Sequence, residues 1–193
     1  MNSASLPFPR GQTFFNGGTT NTTDGLNLEG MEVIVRDTTY GSGRPVRLKC
    51  VRNVSGVTLY PKYLVRYQQT GDYFGKRVDG YVQGNAADYA GVVDELVTSV
   101  PANDLFWIVV EGPTIVKRSA SNFSGSDVAV GDRMVAMTVN ATTGTTSNGR
   151  IIPQGVASTA LTSDYVQNVV GRALSAIVTS ATTVDPLILV GRR

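Results

Sequence analysis

The chain has no histidine and a single cysteine, Cys50. Without histidine there is no Ser-His-Asp triad and no histidine-ligated metal. With one cysteine there is no internal disulfide, zinc ribbon or CxxC redox centre. Charge is also scarce: Asp, Glu, Lys and Arg make up 17% of the residues, and Gly, Thr, Ser and Asn stand where charge would be. That composition excludes a coiled coil and a charged disordered tail, both of which need dense charge. No run of 18 apolar residues occurs, so no helical membrane span is expected. The opening residues, Met1 to Pro7, have neither a basic start nor an apolar stretch, so no secretory signal is expected. A net charge of +2 is too small to argue for nucleic-acid binding.

The length, 193 residues, suits one large domain or two small ones. Its cations are lopsided, 13 Arg against 4 Lys. Arginine favours protein interfaces, because its planar fork pairs with carboxylates in two bonds and its weak hydration lowers the cost of burial. Arg44, Arg47, Lys49 and Arg52 concentrate it. In an extended segment Val46, Leu48 and Cys50 point one way, and Arg47 and Lys49 the other. This is either an ordinary solvated strand face or a basic strip that meets an acidic partner surface.

Residues 1–30 differ from the rest. Pro7, Pro9, Gly11, Gly17, Gly18, Gly25 and Gly30 work against a helix or a regular strand there. Yet Leu6, Phe8, Phe14 and Phe15 are embedded in this stretch, and a plain linker has no use for three Phe. The reading is an extended N-terminal arm with aromatic anchors, docked on its own body or on a neighbouring subunit. Leu6, Phe8, Phe14 and Phe15 are expected at a partner interface.

From Met31 to Arg193 the pattern is a β body. Strands are expected at Met31–Arg36, Val46–Val51, Val57–Leu59, Tyr63–Gln68, Lys76–Gln83, Gly91–Val97, Leu105–Val110, Thr114–Lys117, Arg133–Val139, Arg150–Ile152, Val169–Val178 and Leu187–Val190. Turn residues separate them, among them Val54-Ser55-Gly56, Gly112-Pro113 and Val130-Gly131-Asp132. The expected fold is all-β, a compact sandwich or barrel-like body of short antiparallel strands. One weak helix signal, Thr162–Val170, has Ser163 as its N-cap. The run Leu105-Phe106-Trp107-Ile108-Val109-Val110 lacks alternation, so both of its faces must be covered. Phe106 and Trp107 are therefore expected in the core or at a subunit interface. Two segments, about 46–118 and 119–193, share a faint pattern that reads as a possible duplication. Val57–Val65 matches Val128–Val135. Val97-Thr98-Ser99 and Asp104 match Val178-Thr179-Ser180 and Asp185 at one offset.

Catalytic templates find no purchase. The four lysines, Lys49, Lys62, Lys76 and Lys117, sit in no SxxK pattern that would activate a serine. Asp94 and Glu95 are adjacent, so in a strand they face opposite sides and cannot flank one glycosidic bond. Asp72, Asp79 and Asp88 are scattered through turn-rich sequence. Phosphate loops and EF-hand loops are absent. No enzymatic activity, no cofactor, no metal and no small-molecule substrate are expected. Trp107 is the single tryptophan, and sugar-binding modules use exposed aromatic platforms, but its apolar neighbours favour burial. The tyrosines Tyr60, Tyr63, Tyr67, Tyr73, Tyr81 and Tyr89 form a wet interface or are ordinary strand residues. Cys50 reads as a small core residue.

Parts of the body resemble tailed-phage virion proteins. Asn53-Val54-Ser55-Gly56-Val57-Thr58-Leu59-Tyr60-Pro61-Lys62-Tyr63-Leu64-Val65 resembles a hairpin of those proteins. Ala102-Asn103-Asp104-Leu105-Phe106-Trp107-Ile108-Val109-Val110-Glu111-Gly112-Pro113 is similar to their step from a strand to Gly-Pro. Ser126–Val135, with its apolar-Gly-Asp turn, and Val170-Gly171-Arg172-Ala173-Leu174 resemble segments of capsid cement, or decoration, proteins. The similarity spans roughly residues 45–191 and leaves the arm unmatched. It implies a structural virion protein, a homotrimer made in the host cytoplasm that binds the outer surface of the head and stabilises contacts between major capsid proteins. Such a protein works through many modest contacts. A tail-tube or head–tail connector subunit is the alternative within the virion, and a glycan-binding β module is the alternative outside it.

Overall fold

The computed structural model describes residues 6–15, 28–71, 74–82, 89–118, 127–136, 149–154, 169–177 and 184–191. Eleven strands run through them: β1 (Phe14–Phe15), β2 (Glu32–Arg36), β3 (Pro45–Asn53), β4 (Leu64–Tyr67), β5 (Arg77–Tyr81), β6 (Tyr89–Val93), β7 (Asp104–Ile115), β8 (Arg133–Ala136), β9 (Ile151–Pro153), β10 (Val169–Ala173) and β11 (Leu187–Val190). Among the described residues there is no helix. The helix expected at 162–170 falls largely outside them, and its last two residues, Val169 and Val170, open β10.

The fold is all-β, and the choice between sandwich and barrel resolves to a barrel. Five strands close on themselves in the order β3-β5-β4-β6-β7-β3. Strand β2 extends this sheet beyond β3, and β11-β10-β8-β9 continues it from the far end of β7. Pairing is antiparallel except between β3 and β5, which run parallel through Arg52↔Arg77 and Asn53↔Val78. The expected strand at Val57–Leu59 shrinks to a bridge between Leu59 and Val100.

Alternation along the barrel strands divides the core into two layers. Val51, Val65, Val78, Val93, Phe106 and Ile108 fill the barrel. Their neighbours in sequence, Cys50, Leu64, Val92, Leu105, Trp107 and Val109, point outward and are covered by the N-terminal arm and by residues of β8, β9, β10 and β11. Register confirms the division: on β3 and β7 the inward pair is Val51↔Phe106 and the outward pair Cys50↔Trp107. The run Leu105–Val109 is buried throughout because it has a barrel under one face and a second layer over the other.

Gly112-Pro113 does not make the expected turn. Strand β7 continues through it to Ile115 and changes partner there, leaving β3 after Glu111 and pairing with β11 from Gly112 onward. The step needs glycine for two reasons. The backbone has φ 114°, and a Cβ would lie 2.8 Å from the Pro45 carbonyl oxygen. The Gly-Pro signal was thus one of close approach between strands.

Asn53, at the end of β3, is buried and saturated. Its amide nitrogen donates to the carbonyls of Val57, Val100 and Pro101 at 2.8, 3.1 and 3.0 Å. Its side-chain oxygen accepts from the Ser55 hydroxyl at 2.6 Å. This holds the Val54–Gly56 turn against the barrel rim.

Trp107→Ala removes the largest buried side chain between the two layers. It is expected to cost about 3–5 kcal/mol from lost transfer energy and the cavity left behind. Melting curves of the variant check this, and an unchanged midpoint refutes the packing described.

Candidate interaction surfaces

The arm is anchored to its own body. Phe8 is buried, its ring stacked on Trp107 with centroids 5.0 Å apart, and its carbonyl accepts from Trp107 Nε1 at 3.1 Å. Phe14 lies 6.1 Å from Phe8 between centroids and pairs with Leu105 in β1. Leu6 packs on the same cluster. At Phe15 the backbone pairs with Asp104. Phe8 is therefore buried in the chain's own body, and Leu6 and Phe14, partly buried, pack against the same core. The arm also holds a short strand, against the reading of its Gly and Pro content. The edge of β7 supplies the hydrogen bonds that so short a segment cannot provide for itself.

A residue that sequence reasoning missed completes the anchor. Arg10 grips Asp94 in two bonds, Nε to Oδ2 at 2.9 Å and Nη2 to Oδ1 at 2.7 Å. The Asp94 side chain is entirely buried. Burial pulls the Arg10 guanidinium down, and its hydrogen bond and charge pairing with Asp94 outweigh that, so it ends above its ordinary value. The one available signal was Asp94 itself, an acid closing the apolar run Val92-Val93.

Three cations of the basic strip, Arg47, Lys49 and Arg52, are paired within the chain. Arg47 lies 3.8 Å from Glu111, and Lys49 lies 3.3 Å from Glu32 and over the Tyr67 ring. Arg52 is buried, paired with Glu29, and donates to the Asn103 carbonyl at 2.7 Å. Arg44 is exposed. Glu29 also takes Arg77 at 2.8 Å, so one carboxylate joins β3 to β5 where they run parallel. Burial alone would raise the Glu29 carboxyl, but hydrogen bonds from Arg77 and Arg52 hold it below the usual range.

Other carboxylates are similarly engaged. Asp79 binds Arg66 at 2.7 Å. Asp185 accepts from Lys117 at 3.3 Å and from the Arg118 backbone at 3.3 Å. Glu95 accepts from the Tyr40 hydroxyl, and burial followed by that bond pushes the phenol far above its ordinary value. Asp72 and Asp88 lie outside the described residues. Among the described residues no group of three or more His, Cys, Asp or Glu is arranged to hold a metal ion.

Trp107 is 0% exposed, so it offers no platform to a sugar. Tyr63 packs on Tyr81 with ring centroids 4.9 Å apart, and the Tyr81 hydroxyl accepts from the Tyr60 backbone at 2.8 Å. Burial pushes the Tyr81 phenol up to about 12. Large apolar side chains left in solvent include Ile34, Val57, Tyr60, Phe74 and Val130.

Two segments that carried the resemblance meet. In the turn Val130-Gly131-Asp132, Gly131 N donates to the Ala173 carbonyl at 2.8 Å, and Ala173 N donates to the Asp132 carbonyl at 2.9 Å. Asp132 also accepts from the Ala129 backbone at 2.8 Å. Beside them, a Cβ on Gly171 would lie 2.1 Å from the Leu189 carbonyl oxygen, so β10 and β11 approach at a spacing only glycine permits.

No protein-family model matches the chain, and no curated protein sequence matches it. Among solved structures, the head fiber gp8.5 N base of bacteriophage phi29 is similar at 17% identity, over 74% of this chain and 92% of that one, with a TM-score of 0.41.

Arg10→Ala leaves Asp94 charged and buried without its partner, at an expected cost of about 3–5 kcal/mol. Denaturant unfolding measures it, and a loss within error of zero contradicts the anchor. Glu29 gives a pH prediction. Its folded-state pKa lies below the unfolded one, so its contribution is present above the unfolded carboxylate pKa and is lost as pH falls through the folded value. Stability should drop on acidification through that window, and Glu29→Gln should flatten the drop.

Proposed function

We propose that this chain is a structural protein of a tailed-phage head, a cement protein that binds the outer surface of the shell and bridges neighbouring major capsid proteins. The observation that supports this reading most is the meeting of the Val130-Gly131-Asp132 turn with the Gly171-Arg172-Ala173 strand. Both resemble segments of cement proteins, and they lie 40 residues apart in sequence. Here they form one hydrogen-bonded unit, as the parts of a fold-determining motif should.

The chemistry of the described residues accords with a role played by area. Asp94, Asp79, Glu29 and Asp185, acids of the kind a hydrolase would use, are taken up by Arg10, Arg66, Arg52 with Arg77, and Lys117. In this reading the protein makes and breaks no covalent bond. Many copies each contribute a modest contact, and the contacts sum because the shell presents them together.

Imaging of purified virions by electron cryomicroscopy, with and without this chain, tests the proposal. The expected result is density for the chain on the outer face of the head, and heads that open at lower temperature when it is missing. Density in rings along the tail tube or at the head–tail junction overturns the proposal in favour of the tube or connector alternative.

A further inference from the structure

Strand β2 is an open edge of the sheet. It pairs with β3 in unbroken register from Glu32↔Lys49 to Arg36↔Pro45. The flanking bonds Cys50 N to Met31 O and Asp37 N to Arg44 O, both 2.8 Å, set the phase. Residues 31, 33, 35 and 37 turn their backbone groups toward β3, so Glu32, Ile34 and Arg36 turn theirs away from it. Among the described residues nothing takes up those outward groups. The opposite edge differs: β9 is three residues long and ends in Pro153, which blunts it. Strand β2 has no proline and no bulge.

The same three residues share the solvent face. Ile34 is 64% exposed, the Glu32 side chain is 47% exposed although it lies 3.3 Å from Lys49, and Arg36 is exposed and makes no ion pair among the described residues. The sequence Glu32-Val33-Ile34-Val35-Arg36 is thus symmetric in size and antisymmetric in charge about Ile34. An antiparallel copy of the same strand sets Ile34 against Ile34, and Glu32 against Arg36 at both ends. Like charges would face each other in a parallel arrangement or with a foreign acidic or basic strand. In the antiparallel register every outward N–H and C=O of the three residues finds a partner, because directly opposed residues of a hydrogen-bonded pair exchange both bonds.

We propose that two copies of this chain join edge to edge through β2, antiparallel, about a twofold axis at Ile34. The occupant is set by charge complementarity: β2 is its own best partner. This does not rest on the capsid reading, since it concerns the chain alone in solution. Five residues a side bury less than the roughly 1,200 Å² of a stable interface, so the pair is weak.

Sedimentation of the full chain from about 10 µM to about 1 mM, a range that brackets a weak contact of this size, should show mass rising from monomer toward dimer. Glu32→Arg and Arg36→Glu each place like charges opposite one another, and each alone should associate at least about tenfold more weakly. An equimolar mixture of the two variants restores opposite charges across the axis and should recover the dimer. Ile34→Cys should cross-link across the axis under mild oxidation, because the facing Cα atoms would be about 5.5 Å apart, within disulfide reach. Cys50 is buried, so it does not compete. Val57→Cys, exposed elsewhere, should not cross-link. A chain that stays monomeric at every concentration overturns the proposal. So does an assembly, trimeric or otherwise, that the charge variants leave unchanged, and so does a mixture that fails to associate. If a charge variant unfolds, the Ile34→Cys cross-link, which keeps both charges, decides alone.

Discussion

Strand β7 must be covered on both faces, because Leu105, Phe106, Trp107, Ile108 and Val109 follow one another with no polar residue between them. Phe106 and Ile108 go into the barrel, whose closure through β3–β7 pairing gives them a lined interior. Leu105, Trp107 and Val109 need a second cover, and the chain supplies it from both ends. The arm brings Phe8 and Phe14 from the N-terminal side, and β8 to β11 bring Met134, Val170 and Ile188 from the C-terminal side. The change of partner at Gly112 makes this possible. From Gly112 onward β7 pairs with β11, which ties the C-terminal strands to the barrel.

The scarcity of charge has a structural counterpart. With 15 acids in the chain, most of those described serve as internal ties. Glu29 locks the parallel pair β3–β5, Asp94 holds the arm, and Asp185 gathers Lys117 and the Arg118 backbone beside β11. On β3 the cations Arg47, Lys49 and Arg52 meet carboxylates that the strand's own sequence does not show. These partners, Glu29, Glu32 and Glu111, come from three other segments and lie opposite the cations only after folding.

Legibility followed the same division between local and distant. The apolar run Leu105–Val110 and the strand Leu187–Val190 were plain in the sequence, because composition over a few residues decides whether a strand is buried on one face or two. The closed barrel was not, since period-two alternation says which face a residue takes and nothing about which strand lies beside it. Gly112-Pro113 misled, because glycine serves turns and close approach alike, and the distinction lies in Pro45, far away in sequence. The anchors Leu6, Phe8 and Phe14 were legible as buried groups but not as groups buried at home. Arg10 was invisible: an arginine in a Gly- and Pro-rich arm carries no mark of an aspartate 84 residues on.

The anchoring of the arm also imposes an order on folding. Phe8 finds its hydrogen-bond donor in Trp107, 99 residues later, and Arg10 finds Asp94. The arm precedes β6 and β7 in the chain and can be seated only after they exist to receive it. Until then its aromatic residues are uncovered, and so is the outer face of β7 that they will close. Contacts that span half the chain are slow to form, because the entropy of closing the loop is lost before the contact repays it. A late native contact and an uncovered apolar surface therefore fall at the same place, the unfilled seat of Phe8 on Trp107.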